Sequence, residues 1–268
     1  MKILIRGWVY SILAKIPWRL LMFFAYLKFK VVLSKTDGRF IAKDGNHQIE
    51  FIYLIRGFER YSKGLNAFYT ILLENYCVDT LHFETDDVIV DIGANIGEFS
   101  LAVLSKNKDV SIIALEPSLK EYQFLVRNLQ SAKARLLNLG AWKEQDSMSF
   151  FSKGDTADNS LFEFDDYTHK VNVNLDTLDS VLEESGRIKL LKIEAEGAEP
   201  EIIEGAGDIL PRCDYVVIDG GPERGKSQTT TIERVINQLK KDFYIVKINL
   251  SRGTVLFKNN KVFSSNRP

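Results

Sequence analysis

The stretch VIVDIGANIGEFS, residues 88–100, decides how the rest of the chain is interpreted. Its apolar start predicts a buried strand that ends at Asp91. The glycines of GANIG, residues 93–97, allow a tight turn that brings backbone N–H groups close to a ligand. A helical pattern follows from Ile96. The stretch therefore predicts a strand, a glycine turn and a helix N-terminus.

After this stretch, strand-like and helix-like segments alternate along the chain. The strand-like segments are SIIALE (111–116), RLLNLG (135–140), KLLKIE (189–194) and DYVVID (214–219), and helices are predicted at 119–129, at 175–184, from Pro200 and from Thr231. Such alternation is typical of a parallel sheet with helices on both faces. The chain closes with FYIVKIN and TVLFKN around Ser251–Gly253, which predicts an antiparallel hairpin.

Two further local patterns refine this picture. Short strands are predicted at 147–151 and 171–175, on either side of the polar insertion GDTADNS, residues 154–160. Thr230 with Glu233 three residues later is a plausible capping box for the helix that starts at Thr231.

Composition describes an ordinary globular protein. The chain has 268 residues, of which 45% are hydrophobic, and this supports a sizeable core. A net charge of -1 and the lack of nucleic-acid-binding signatures argue against a nucleic-acid partner. Cys77 and Cys213 have no metal-ligand spacing, so we expect two reduced thiols in a cytoplasmic protein.

The N-terminal end is basic and apolar. Seven basic residues and no acidic residue precede Asp37: Lys2, Arg6, Lys15, Arg19, Lys28, Lys30 and Lys35. The apolar runs between them are shorter than the roughly 20 residues of a membrane span. A helix in the membrane interface, formed within residues 1–33, and a helix packed on the protein's own core both stay open.

The residues before the main repeat form an extension. RFIAKDGNHQIEFIYL, residues 39–54, predicts two strands joined at Asp44-Gly45-Asn46, and a helical pattern covers 66–76. We therefore expect residues 1–84 to form an extension with a helix and a β-hairpin, and residues 85–262 to form the main domain.

The residues around the glycine turn favour a nucleoside ligand without a pyrophosphate. Glu116 ends the second strand of the repeat, where a carboxylate can accept hydrogen bonds from both hydroxyls of a ribose. Asn95 and Glu98 occupy the second and third glycine positions of the dinucleotide fingerprint. A carboxylate at the helix N-terminus would repel a pyrophosphate, so a nicotinamide enzyme is the disfavoured alternative.

Carboxylates at the ends of two later strands are candidates for the chemistry. Glu194 and Glu196 follow an apolar strand, and Lys192 is their expected counter-charge. With Asp219 they could hold a divalent ion, although no third ligand is set by the sequence, and we assign no metal. A structural interpretation of Glu196, as a cap for the helix at Pro200, also stays open.

Three segments together resemble the FkbM family of S-adenosylmethionine-dependent methyltransferases. They are VDIGANIGEFS, ALEPS and LKIEAEGAEPEIIEGA, and the resemblance covers about residues 86–257. It implies an α/β class I (Rossmann-like) methyltransferase fold, with a seven-stranded sheet whose last strand is antiparallel. The family has aspartate where this chain has Glu194.

The resemblance also implies a cofactor, S-adenosyl-L-methionine, and the residues that bind it. The methionine part would lie at the glycine turn, the ribose at Glu116, and the adenine near Ser118 and residues 138–142. The expected cofactor-binding residues are Asp91, Gly93, Ala94, Asn95, Gly97, Glu116, Pro117, Gly140 and Ala141. Catalysis would involve Glu194, Glu196 and Lys192.

The family resemblance implies O-methylation of a hydroxyl on a sugar, lipid or natural-product acceptor. Asp219 and the basic loop GGPERGKSQTTT, residues 220–231, lie where the acceptor is expected. Arg224 and Lys226 of that loop could bind an acidic acceptor, or the loop could simply be solvated. A non-catalytic binding module attached to a membrane by the N-terminus is the remaining alternative.

Overall fold

The computed structural model describes residues 17–29, 31–36, 38–153 and 159–261. The chain divides between Ile71 and Leu72 into two compact units. The domain boundary expected after residue 84 remains a prediction. The basic residues Lys2, Arg6, Lys15 and Lys30 lie outside the described residues.

The first unit contains a helix, a small antiparallel sheet and a second helix. Its elements are α1 (Trp18–Phe29), β1 (Val32–Thr36), β2 (Arg39–Asp44), β3 (His47–Phe51) and α2 (Leu54–Tyr61), and α3 (Leu65–Asn75) begins in it. The hairpin expected at Asp44-Gly45-Asn46 is confirmed, since β2 pairs antiparallel with β3 from Asp44 opposite His47. Gly45 has a φ of 58°, which such a tight turn requires. Strand β1, which the sequence pattern did not predict, adds to the free edge of β2.

The second unit contains the expected alternation of strands and helices. Its elements are β4 (Val88–Ile92), α4 (Glu98–Lys106), β5 (Ser111–Leu115), α5 (Leu119–Asn128), β6 (Ala134–Leu137), β7 (Gly140–Ala141), β8 (Asp146–Ser152), β9 (Asn159–Ser160), β10 (His169–Asp176), α6 (Leu178–Val181), β11 (Ile188–Glu194), α7 (Glu199–Glu204), β12 (Cys213–Asp219), β13 (Pro222–Arg224), β14 (Thr229–Thr230), α8 (Ile232–Leu239), β15 (Phe243–Asn249) and β16 (Thr254–Asn259).

A seven-stranded sheet organises this unit. Its strand order is β15-β16-β12-β11-β4-β5-β6, and the central strands are apolar and fully buried, as Ile89, Leu191 and Val216 illustrate. Strand β16 runs antiparallel to both of its neighbours, while β12, β11, β4, β5 and β6 are parallel. The expected α/β fold, with seven strands and an antiparallel last strand, is confirmed.

The sheet topology places the candidate residues along one edge. In this sheet the order of the strands reverses between β4 and β11. In open parallel sheets, ligands bind beyond the carboxyl ends of the strands at the point where the strand order reverses. The glycine turn after β4 and the carboxylates after β11 and β12 therefore meet at this edge.

The insertion between β7 and β10 forms a second, four-stranded sheet of order β7-β10-β8-β9. The two predicted strands correspond to β8 and β10, which pair antiparallel. Residues 154–158 of the polar segment GDTADNS lie outside the described residues.

Two local predictions were wrong. The helix expected over 175–184 is only the short α6, because Leu175 belongs to β10 and pairs with Gly140 and Asp146. The capping box is absent, because the N-cap residue is Thr231 and its hydroxyl donates to Glu199 instead. The loop 220–231 contains the short hairpin β13–β14.

Within the described part of the chain, none of the helices has the length and apolar character needed to traverse a bilayer.

Candidate active site

The glycine turn after β4 lies directly against the end of β11. Gly93, Asn95 and Gly97 all have a positive φ, of 69°, 51° and 91°. A Cβ atom on Gly93 would lie 1.9 Å from the backbone oxygen of Glu194, so no side chain fits there. The N–H groups of Gly93 and Ala94 both donate to the carbonyl of Leu115, which holds the turn beside β5. Glycine at position 93 is thus required by both conformation and space.

Lys192 lies at the centre of the site and is 1% exposed. Its ammonium lies 3.0 Å from Asp91 Oδ1 and 3.2 Å from Glu194 Oε2. It also donates to the carbonyl oxygens of Ile92 and Gly93, at 3.0 and 2.9 Å. Burial alone would lower the pKa of Lys192, but the two carboxylates reverse this and raise it. The lysine is therefore a charged anchor that joins the glycine turn to β11, and its carboxylate partners are Glu194, which was one of the two expected, and Asp91, which was not expected.

Asp91 is held on its other side by helix α4. The carboxylate is fully buried, and Ser100 Oγ donates to Oδ2 at 2.7 Å. This hydrogen bond supports the buried ion pair between Asp91 and Lys192, because additional hydrogen bonds help to offset the cost of removing the two charges from water.

Glu194 is surrounded by donors. Its Oε2 accepts from Tyr76 and faces Lys192, and its Oε1 accepts from Arg252 Nη2 at 2.7 Å. Burial would raise the pKa of Glu194, but Lys192 and Arg252 lower it to about 2. A carboxylate with this pKa is ionised at neutral pH and is a poor proton acceptor.

Tyr76 and Arg252 are residues of this site that sequence analysis missed. Arg252 lies in the turn between β15 and β16, and its Nε donates to Asp219 Oδ2 at 2.6 Å. Its guanidinium also lies 5.0 Å from the centre of the Tyr76 ring. Desolvation and the Glu194 charge raise the pKa of Asp219. No local motif marks either residue. The only available signal was a charged side chain in a hairpin turn at the carboxyl edge of the sheet.

Glu116 is 5% exposed and lies beside the glycine turn. One carboxylate oxygen accepts from the N–H of Asn95 and the other from the N–H of Ser118, both at 2.8 Å. Desolvation raises the pKa of Glu116 to about 8, against the effect of these two bonds. The neighbouring Pro117 packs close to Gly140, since a Cβ atom on Gly140 would lie 3.5 Å from Pro117 Cβ. Ala141 is buried next to it.

Glu199, rather than Glu196, ties down the turn after β11. Glu199 is fully buried, and its Oε1 accepts from the N–H groups of Ala195 and Gly197, at 3.0 and 3.1 Å. Thr231 Oγ1 donates to its other oxygen at 2.7 Å. Glu196 lies within this turn with a φ of 49°. The structural role considered for Glu196 thus belongs to Glu199, which sequence analysis did not select.

Arg224 and Lys226 are already paired. Arg224 donates to the carbonyl of Gly197 at 2.6 Å and makes a two-bond contact with Glu201, at 2.8 and 2.9 Å. Lys226 lies 3.1 Å from Glu163. The two cations that were expected to bind an acidic acceptor, Arg224 and Lys226, therefore already have carboxylate partners. Among the residues described, none form a cluster of three or more His, Cys, Asp or Glu suited to a metal ion.

Comparison with known proteins identifies the family. The model of the FkbM methyltransferase domain matches residues 91–248. Methyltransferase 1 of Beauveria bassiana is 27% identical over 157 residues, covering 49% of this chain and 63% of that protein. The chain thus spans less than two thirds of that relative's length.

Two further relatives are similar. Methyltransferase sdnD of Sordaria araneosa is 30% identical over 52% of this chain and 68% of its own. Hexuronic acid methyltransferase AglP of Haloferax volcanii is 24% identical over 65% of this chain and 71% of its own. The family model matches more than half of the chain, and includes the glycine turn, Glu116 and the carboxylates after β11 and β12. The chain therefore belongs to the FkbM methyltransferase domain family.

Proposed function

We propose that this protein transfers a methyl group from S-adenosylmethionine to a hydroxyl group of a sugar or natural-product acceptor. Family membership supports methyl transfer. The observation that carries the cofactor assignment is Glu116, a buried carboxylate with one backbone donor on each oxygen, beside a glycine turn. Each oxygen retains a lone pair for a ribose hydroxyl.

The residues at the glycine turn fit this cofactor. Gly93 and Gly97 supply the positive φ angles of the tight turn that joins β4 to the start of α4. Glu98 is the first residue of α4, where its negative charge disfavours a pyrophosphate but not a cofactor without phosphate. Asp91 to Gly97 would hold the methionine part, Glu116 the ribose, and Pro117, Gly140 and Ala141 the adenine.

When bound, S-adenosylmethionine supplies a methyl group that is already activated for transfer. The protein's task is then to orient the acceptor hydroxyl and to accept its proton. Glu194 serves as a fixed negative charge that positions Arg252 and Tyr76. Because its pKa is about 2, we do not assign it the role of base.

The proton acceptor that we propose is the pair Glu196 and Glu223. Their side chains hydrogen-bond to each other, and partial desolvation together with the charges of Asp219 and Glu194 raises the pKa of Glu223 to about 7. A base with a pKa near the working pH is the most effective for this step. This assignment moves the catalytic role expected for Glu194 to Glu196 and its neighbour Glu223, and makes Lys192 a positioning residue.

The test of the proposed function is cofactor binding followed by methyl transfer. We expect isothermal titration calorimetry to give a dissociation constant for S-adenosylhomocysteine on the order of 1–10 μM. We expect labelled methyl groups to appear in hydroxyl-rich extract components. Absence of binding heat, or a rise in melting temperature with NAD but not with S-adenosylhomocysteine, would contradict the proposal and favour the nicotinamide alternative.

The relatives support an acceptor with hydroxyl groups. AglP is named as a methyltransferase of hexuronic acid, which is a sugar derivative. We extend to this chain only a sugar acceptor and not the acidic group of a hexuronic acid, because acidic side chains line the pocket beyond the carboxyl ends of β11 and β12.

We also propose a peripheral membrane contact through α1. Leu20, Phe23 and Leu27 share one face of this helix and are 45%, 54% and 51% exposed. Exposed apolar side chains next to basic residues are typical of helices that lie in a membrane interface.

Vesicle sedimentation checks this contact. The full chain should sediment with vesicles that contain phosphatidylserine, and Leu20→Glu with Phe23→Glu should release most of it, because two charges would enter the apolar layer. Val171→Glu, at a strand residue that is 54% exposed, is the matched control. If the unchanged protein stays in the supernatant, α1 does not contact lipid.

A further inference from the structure

A polar pocket lies beyond the carboxyl ends of β11 and β12. Its volume is about 470 Å³, and its lining includes Ser160, Phe164, Glu196, Pro222, Glu223 and Lys226. Pockets of about 300–1,000 Å³ are typical of small-molecule sites. The pocket is therefore large enough for a sugar unit and lies next to the proposed proton acceptor.

The walls of the pocket are held by contacts between segments far apart in sequence. Ser160 Oγ donates to the carbonyl of Glu196 at 2.9 Å. The Arg224 guanidinium lies 4.0 Å from the centre of the Phe162 ring and also bonds to Gly197. These contacts thus connect the insertion, the turn after β11 and the hairpin β13–β14 around the pocket.

The lysines that line the pocket are neutralised by acidic residues of the same wall. Lys226 Nζ lies 3.1 Å from Glu163 and 3.9 Å from Asp165. Lys153 Nζ donates to Asp166 at 2.9 Å. These side chains are 42–76% exposed, so each pair stabilises the wall by only about 0–1 kcal/mol. What the pairs contribute is negative charge, because each lysine lies beside at least one carboxylate that an anionic ligand would also approach.

The acidic lining remains in excess. Among the described residues that line the pocket, four are acidic, Asp165, Asp166, Glu196 and Glu223, and two are lysines. Glu194 and Asp219 add negative charge nearby, since both raise the pKa of Glu223. The carboxylate oxygens of the pocket are strong acceptors for the hydroxyl groups of a ligand. A carboxylate or phosphate group on the ligand would instead be repelled by these negative charges.

We infer that this pocket takes a neutral, polyhydroxylated acceptor of the hexopyranoside class and discriminates against uronic acid and phosphorylated sugars. The inference rests on the proposed function, because it names the acceptor of that reaction. It reverses the acidic acceptor that the basic residues of the loop 220–231 suggested, since the structure shows Arg224 and Lys226 already paired with carboxylates.

Saturation-transfer NMR on the full chain with S-adenosylhomocysteine present tests the inference. The probes are the methyl α-glycosides of glucose, galactose and mannose, each compared with its uronate at pH 8. We expect at least one neutral glycoside to bind at least about tenfold more tightly than its uronate. Tighter or equal binding of the uronates, or no binding of any neutral glycoside at about 50 mM, would overturn the inference.

Two variants show whether the binding uses this pocket. Glu223→Gln should weaken neutral glycoside binding by about tenfold or more, because a charge-assisted acceptor is lost, and Glu196→Gln is the second variant if the first alters the melting temperature. Glu144→Gln, at a side chain that is 63% exposed, should have no effect. Unchanged glycoside affinity in the pocket variants would place the sugar elsewhere and refute the inference.

The same samples separate this inference from the proposed function. If S-adenosylhomocysteine binds but the uronates are preferred, only the charge selection is wrong. If S-adenosylhomocysteine gives no binding heat, the proposed function fails, whatever the sugar preference.

Discussion

Replacing Lys192 with methionine is expected to lower the free energy of unfolding by about 3–5 kcal/mol, which is the cost of removing one partner of a buried ion pair. Methionine has a similar length but no charge, so the carboxylates of Asp91 and Glu194 lose their cation. The carbonyls of Ile92 and Gly93 lose a donor as well. Urea unfolding followed by circular dichroism measures the change, with an unchanged slope showing that the unfolded state is comparable.

The matched control is Lys143→Met. Lys143 also pairs with a glutamate, Glu144, at 3.4 Å, but its side chain is 46% exposed. We expect this variant to stay within about 0.5 kcal/mol of the unchanged protein. Adding Asp91→Asn to Lys192→Met should recover part of the lost stability, because one uncompensated charge is removed. A loss below about 1 kcal/mol in Lys192→Met would show that the glycine turn does not depend on this lysine.

If the proposed cofactor site is correct, we expect Glu116→Ala to weaken S-adenosylhomocysteine binding at least about 100-fold, which corresponds to about 2.7 kcal/mol. Two charge-assisted hydrogen bonds to a ribose contribute about 1.5–3 kcal/mol each. The variant also frees the N–H groups of Asn95 and Ser118, which loosens the glycine turn. Calorimetry measures the affinity, and Glu144→Ala is the surface control. Affinity within about threefold of the unchanged protein would exclude Glu116 from the cofactor site.

The pH dependence of binding provides a second measurement on Glu116. Without ligand its pKa is raised to about 8, chiefly by desolvation, so a growing fraction of the group is protonated below that pH. Ribose hydroxyls favour the ionised form, and binding therefore releases a proton there. Affinity should increase as the pH rises from 6 to 8 and level off above. Glu116→Gln should bind weakly at every pH and show a flat profile.

Local pattern was sufficient for most of the fold. The apolar run before Asp91, the glycines at 93 and 97 and the closing hairpin are short-range features, and the structure confirms each of them. Such features depend on the backbone conformations that each residue allows and on the spacing of apolar residues along the chain. Both can be read from residues that are close in the sequence.

Predictions from local sequence patterns failed where a side chain forms its hydrogen bonds with a residue that is distant in the sequence. Thr231 was expected near a capping box, but its hydroxyl bonds Glu199, 32 residues away. Tyr76 and Arg252 are 176 residues apart, yet Arg252 Nη2 donates to the Tyr76 hydroxyl and both side chains bond to Glu194. No periodicity within either segment predicts such a meeting.

The sequence alone was enough to predict a parallel sheet, a glycine turn after its first strand, and carboxylates at the carboxyl ends of the strands, all of which the structure contains. It did not establish what each carboxylate does. Glu116, Glu194 and Glu223 are the same amino acid, yet one has a pKa of about 8, one of about 2 and one of about 7. Desolvation and the distance to other charges decide these values, and both are set by sheet register and by contacts across the chain. Only the tertiary structure therefore separates the three carboxylates to which we propose different roles: cofactor binding for Glu116, a fixed charge for Glu194 and proton acceptance for Glu223.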